Sequence, residues 1–255
     1  METPIKIPIT EAYLTTFRHS LDLIKIGKPF VPAALLLFIT SFLARGLWLF
    51  FAEQFITSSY SFFNFTIIFP SILIIFAAAP LAVAIHRWIL LSEQPDLNVF
   101  KSFFQKNEKE YALLMLVFIL IPDLISKFIF FLFGTNLTSG LFSLIIYIGF
   151  FYIGLRICLL FPIIAIDSFS REKLTYSFIQ TKNIIVPIFV TCFLLGITFI
   201  IVMAGTVGIL TFIGSLTFGL PGIDILSLFI SSAFLPFIVI ISSVYLSLLY
   251  QFLHD

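Results

Sequence analysis

Long apolar stretches, each of the length needed to cross a bilayer, alternate along this chain with short segments that collect nearly all of its charge. Crossing roughly 30 Å of hydrocarbon takes about 20 apolar residues in a helix. Six stretches meet that requirement: Phe30 to Ala52, Phe62 to Ile85, Tyr111 to Phe133, Leu141 to Ile166, Ile184 to Gly208 and Ile225 to Leu249. All six are predicted to be helical, because backbone groups in hydrocarbon find no water and a helix bonds them within the segment. The uninterrupted runs lack the alternation that a barrel strand needs. From Asn183 to Ile223 the chain carries no charge and is too long for one comfortable span. Gly205, Gly208, Gly214, Gly219, Pro221 and Gly222 break its second half, which predicts a re-entrant or interfacial piece on the outer face rather than a seventh crossing.

The polar segments have a pattern of their own. Leu14, Phe17, Leu21 and Ile24 recur at helical spacing while Arg18, Asp22 and Lys25 fall elsewhere, and Thr10 with Glu11 is a suitable helix start. Val99, Phe100, Phe103 and Phe104 oppose Lys101 and Gln105 in a second segment; Leu174, Phe178 and Ile179 oppose Lys173 and Gln180 in a third. Each reads as an amphipathic helix in the headgroup layer, its lysines near anionic lipid. The second and third segments also share wording: Arg87-Trp88-Ile89-Leu90-Leu91 echoes Arg156-Ile157-Cys158-Leu159-Leu160, and Ser102-Phe103-Phe104-Gln105 echoes Ser177-Phe178-Ile179-Gln180. The expected fold is therefore all-α within a single membrane domain over residues 1–255. It has six crossings and three interfacial helices, arranged as repeat units 10–91, 97–166 and 170–250.

Composition agrees with this picture. Hydrophobic residues make up 60% of the 255 positions, charged residues 11%, and mean hydropathy is +1.16. The net charge of +1 supplies no field that would attract nucleic acid. Distribution is more telling than the sum. Lys6, Arg18, Lys25 and Lys28 precede the first span; Arg87, Lys101, Lys106 and Lys109 separate the second and third; Arg171, Lys173 and Lys182 separate the fourth and fifth. The opposite connections have no basic residue, so the positive-inside rule places both termini in the cytoplasm of a bacterial-type inner membrane. Cys158 and Cys192 lie in apolar runs and read as small hydrophobes rather than a disulfide framework. The charged opening through Lys28 lacks the form of a cleaved signal peptide.

Candidate chemistry is sparse. Arg45, Asp123, Lys127 and Arg156 fall inside predicted spans and form the candidate intramembrane polar network. Counted from the inner ends of their spans, Asp123 and Arg156 lie at depths of roughly 18 and 15 Å, which predicts an ion pair across the hairpin. Lys127, four residues on, is a second partner for Asp123. The spacing excludes metal, nucleophile-elbow and phosphate-loop motifs: His19, His86 and His254 are far apart, and Asp224 has no intramembrane partner for an aspartyl dyad. His86, beside Arg87 and Trp88, reads as an anchor at the membrane boundary. Glu93, Asp96 and Asp167 are the only interfacial acids a membrane-embedded lipid enzyme would have to use.

The run Arg156-x-x-Leu159-x-x-Pro162-x-x-Ala165-x-Asp167, with His86-Arg87-x-x-Leu90-Leu91-x-Glu93, resembles the YciC-like family and the similar glycerophosphoryl diester phosphodiesterase membrane-domain group. The resemblance implies a bacterial six-span module and no phosphodiesterase activity, since in proteins of that name the chemistry belongs to a separate soluble barrel. The expectation is an integral membrane protein without enzymatic activity or cofactor. It would serve envelope or lipid homeostasis or a membrane complex, its partners being membrane lipids and another membrane protein. A small transporter or transporter subunit is the alternative, with Pro70, Pro80, Pro122, Pro162 and Pro187 supplying broken helices.

Overall fold

A computed structural model of the chain describes residues 9–55, 65–94, 105–134, 136–217 and 220–254. The helices are α1 (Ile9–Ile26), α2 (Val31–Phe55), α3 (Phe65–Leu91), α4 (Lys106–Phe133), α5 (Leu137–Ile157), α6 (Leu160–Ile166), α7 (Arg171–Gln180), α8 (Ile185–Thr217) and α9 (Leu220–His254). Among the described residues there is no strand. Five helices, α3, α4, α5, α8 and α9, are long and apolar enough to cross a membrane, and the described apolar part of α2 is the shorter Val31–Leu47. The second predicted amphipathic segment, Val99 to Gln105, lies almost wholly outside the described residues.

Contacts between side chains fix the directions of these helices. Phe30, just ahead of α2, packs edge-to-face on Trp88 near the end of α3, with ring centroids 6.1 Å apart. His86 meets Tyr111 at the start of α4 and Ser247 near the end of α9. Phe118 packs on Phe150, and Phe199 on Phe234. Antiparallel neighbours therefore bring Lys25, Lys28, Arg87, Lys106, Arg171 and Lys173 to one end, here called the basic end.

Helix α3 is the axis of the bundle. From Ala77 to Val83 every residue is buried, and Ile85 and His86 are buried as well. A helix that is apolar all round has no preferred outward face. Here alanines at 77, 78, 79 and 82 keep its surface low, so neighbouring helix backbones approach closely on several sides. α2, α4, α6 and α9 all pack against it. On α2 the matching stripe is Ala33, Leu37, Ser41 and Ala44, while Val31, Leu35, Ile39, Leu43 and Leu47 face outward.

Two expected elements differ in form. The predicted span from Leu141 to Ile166 is divided at Cys158, because Pro162 has no N–H to bond the carbonyl of Cys158 and a short new helix starts with that proline in its first turn. The predicted break does not fall at the glycines: α8 runs unbroken to Thr217 through Gly205, Gly208 and Gly214, and α9 begins at Leu220. Glycine leaves the backbone hydrogen bonds of a helix intact. Pro221 sits in the first turn of α9, where an N–H is not required. At the turn after α4, Gly134 takes φ of +73°, and Asn136 and Ser139 cap α5 reciprocally.

The apolar face of α1 is turned away from the protein, as expected of a helix in the headgroup layer, whereas that of α7 is turned partly inward. α1 presents Thr16, Ser20 and Leu23 to the protein, leaving Leu14, Leu21 and Ile24 exposed. The Tyr13 hydroxyl lies 2.8 Å from Thr198 Oγ1 well along α8, so α1 leans across α8 and α9. In α7, Leu174 and Phe178 pack inward while Ile179 is exposed.

Replacing Ala82 with Leu should overpack the contact around α3 and cost about 1–3 kcal/mol. Ile39→Ala, on the outward face of α2, should be nearly neutral. Thermal unfolding in detergent would show this as a clear fall in Tm for A82L alone; equal effects would mean that α3 is not tightly enclosed.

Candidate functional site

Two polar sites stand out in this apolar bundle. The first is a hub near the basic end, built on three helices. His86 is wholly buried in α3, its Nδ1 lies 2.7 Å from the Ser247 hydroxyl of α9, and its Nε2 lies 3.1 Å from the Tyr111 hydroxyl of α4. Each ring nitrogen thus has a hydroxyl partner. Ser243, one turn before Ser247, adjoins Tyr111, whose ring also packs against Phe161 of α6 at 5.1 Å. Gln251 of α9 donates to the Ile89 carbonyl at 3.2 Å, one turn from His86. Glu108, one turn ahead of Tyr111, is buried with Oε2 lacking a hydrogen-bond partner among the described residues.

The boundary-anchor reading of His86 is therefore overturned. An anchor needs one side in the headgroup layer, whereas Ile85, His86, Tyr111 and Ser247 are enclosed where α3, α4 and α9 meet. The pattern was partly visible: Ser243 and Ser247 stand four apart on one face of an apolar helix, the spacing of a polar stripe aimed at a neighbour. Nothing in the sequence indicated that His86 would meet it.

The second site is on α4. Lys127 Nζ lies 2.5 Å from Asp123 Oδ2, and the side chains are 30% and 37% exposed. Among the described residues Asp123 forms no ion pair with Arg156, which corrects the predicted interhelical pair. The depth arithmetic treated Leu141 to Ile166 as one helix. With α5 ending at Ile157, Arg156 belongs to its last turn. Its guanidinium carbon sits 5.3 Å from the ring centroid of Phe178 in α7, and its carbonyl accepts hydrogen bonds from Thr181 and Ser177 at 2.7 and 3.2 Å. Arg45 is half-buried in α2 and has no ion-pair partner among the described residues. The four charges predicted as one network are thus divided among three places.

The interfacial acids are engaged separately. Glu93 pairs with Arg87 at 2.7 Å. Asp167, which caps α6, accepts from Lys173 Nζ at 2.6 Å and from the Ser168 N–H at 2.7 Å. The Lys173 hydrogen bond, then the Ser168 bond and the charge of Lys173, hold the Asp167 carboxyl below the usual carboxylate range. Glu110 accepts from the Phe169 N–H at 2.6 Å, and Asn107 from α4 donates to the Ala165 carbonyl at 3.2 Å. These bonds tie the α6–α7 elbow to the start of α4. Asp96 lies outside the described residues. Among the described residues no group of three His, Cys, Asp or Glu side chains could hold a metal ion, and both cysteines are free thiols.

Ser247→Ala or Tyr111→Phe should each leave one imidazole nitrogen unpaired and cost about 1–3 kcal/mol. The His86→Leu, Ser247→Ala double variant should lose less than the sum of its singles. Additive losses in a detergent unfolding cycle would separate the two residues. At the elbow, a depressed carboxyl adds stability above its unfolded pKa of about 3.9 and loses it as pH falls through the lower folded value. Lys173→Gln should move the Asp167 titration, followed by NMR, up towards that unfolded value; an unmoved titration would show that Lys173 does not set it.

Comparison with family models, with curated proteins and with solved structures finds no match to this chain.

Proposed function

We propose that this chain is a non-catalytic integral membrane protein that acts as a component of a membrane complex serving envelope or lipid homeostasis. The observation that carries the reading is the Asp123–Lys127 ion pair, about a third exposed on a helix whose spanning stretch is mostly turned away from the rest of the bundle. An ionised group at mid-bilayer costs about 2.5–3.5 kcal/mol on insertion scales, and such groups ordinarily face protein or water. A polar helix of a partner protein, or of a second copy, laid against α4 would complete the solvation of this pair. The outward surfaces of α5 and α8 also carry exposed apolar side chains such as Phe142, Tyr152 and Phe193.

The finer topology in this proposal is six crossings, α2 being the sixth, with both termini on the cytoplasmic side of a bacterial inner membrane. The gathering of basic residues at one end supports that orientation. The order of α1–α2–α3 and of α7–α8–α9, each a polar helix followed by two apolar ones, supports the repeat. The likeness of Arg156 to Asp167 to the YciC-like group is the reason to place the chain with those modules. A transporter or transporter subunit is the second reading, favoured by Glu108 Oε2, buried without a hydrogen-bond partner among the described residues one turn from the Tyr111–His86 contact.

Affinity purification in mild detergent, followed by native mass spectrometry, separates the two. The complex reading predicts a stoichiometric protein partner or dimer that is lost from the Asp123→Ala, Lys127→Ala double variant while that variant stays folded. A monomer that retains a small polar solute, and loses it on Glu108→Gln, would overturn the complex reading in favour of transport.

A further inference from the structure

A cavity of about 430 Å³ opens between the α1–α2 elbow and α9, on a side of the bundle separate from the ion pair of α4. Among the described residues its lining side chains are all apolar, Ile24, Phe30, Ala34, Ala233 and Pro236 among them. The far end is closed by Phe38 against Phe229, edge-to-face at 5.2 Å. The near end lies at Gly27, where the chain turns from α1 into α2. A Cβ at Gly27 would stand 2.6 Å from the Ile24 carbonyl oxygen, so this tight elbow requires glycine.

Length, lining and charge together identify an occupant. The lining residues of α9 run from Phe229 to Ile240, which at about 1.5 Å per residue is roughly 16 Å, close to half of the ~30 Å hydrocarbon thickness. The groove has no polar lining side chain for a peptide or sugar. At its near end the flanking residues are basic: Lys28 is exposed and has no ion-pair partner among the described residues, and Lys25 shares Asp22 at 3.2 Å. Trp88, packed on Phe30, marks the same level as a membrane-interface position.

We infer that this groove binds one acyl chain of an anionic phospholipid from the leaflet at the basic end, with the headgroup phosphate at Lys28. The chain enters beside Gly27, runs past Ala34 and Ala233, and ends against the Phe38–Phe229 pair. Pro236 contributes to the width of the groove: lacking an N–H, it leaves the carbonyl of Ser232 without its helical donor and loosens α9 where the tail passes.

The test uses the full-length protein in phosphatidylcholine nanodiscs doped with phosphatidylglycerol that carries a diazirine halfway along one acyl chain. Photolysis should label residues 30–38 and 229–240 more than the exposed faces of α5. Ala34→Trp should reduce that labelling several-fold while leaving labelling of α5 unchanged. Lys28→Gln should lower the preference for labelled phosphatidylglycerol over the matching phosphatidylcholine by about fivefold, the effect of one lysine at an anionic surface. The wild-type labelling map stands even if Ala34→Trp does not fold, and Leu35→Trp at the exposed rim then serves as the blocking variant. Labelling spread evenly over all lipid-facing helices, or equal labelling by the two headgroups in the wild type, would overturn the proposal.

Discussion

Everything in this bundle depends on the close enclosure of α3. Its middle carries alanine at 77, 78, 79 and 82, which hold neighbours away less than larger side chains would, so α2, α4, α6 and α9 meet it on several sides. In hydrocarbon there is no strong hydrophobic drive to bring helices together, and association falls to van der Waals packing and interhelical hydrogen bonds. α3 supplies both. The alanines give area of contact, and His86, at the end of the same segment, gives direction by engaging α4 and α9 at once. A helix made of leucine at these positions would be as apolar but could not be approached so nearly.

From that axis outward the packing thins. α5 and α8 touch the rest of the bundle mainly near the basic end, where Leu155, Cys158, Ile184 and Ile188 form a second apolar cluster with Tyr245 and Leu249. Their remaining length presents apolar side chains to the surroundings. The two surface features then acquire different meanings. The α4 ion pair is a polar group on the loosely packed side, which calls for a polar neighbour; the α1–α2–α9 groove is an apolar recess beside the exposed Lys28, which suits a lipid tail and its headgroup. One is a demand of the protein on another protein, the other a demand on the membrane.

The apolar helices were legible in the sequence because hydrocarbon imposes length and hydropathy residue by residue, and the five helices long and apolar enough to cross a membrane each overlap a predicted stretch. What sequence periodicity could not supply was rotation and break. The α7 helix has two competing partners, protein and lipid, so Leu174 and Phe178 pack inward while Ile179 of the same predicted face is exposed. Leu141 to Ile166 was read as one span, with Pro162 named as a helix breaker only under the transporter alternative, yet with its missing N–H this proline ends α5 and leaves Arg156 at a helix terminus. His86 was misassigned for a related reason: its neighbours Arg87 and Trp88 are interface residues, while a change of one position around the helix turns the side chain from the interface to the centre of the bundle.

The central claim, that enclosure of α3 organises the protein, is tested most directly by amide hydrogen exchange of the intact chain in mild detergent. Peptides covering residues 75–86 should be the last to exchange, well after those covering 141–153 of α5, because opening α3 requires several helices to separate whereas α5 opens against few neighbours. Exchange of 75–86 as early as 141–153 would contradict it.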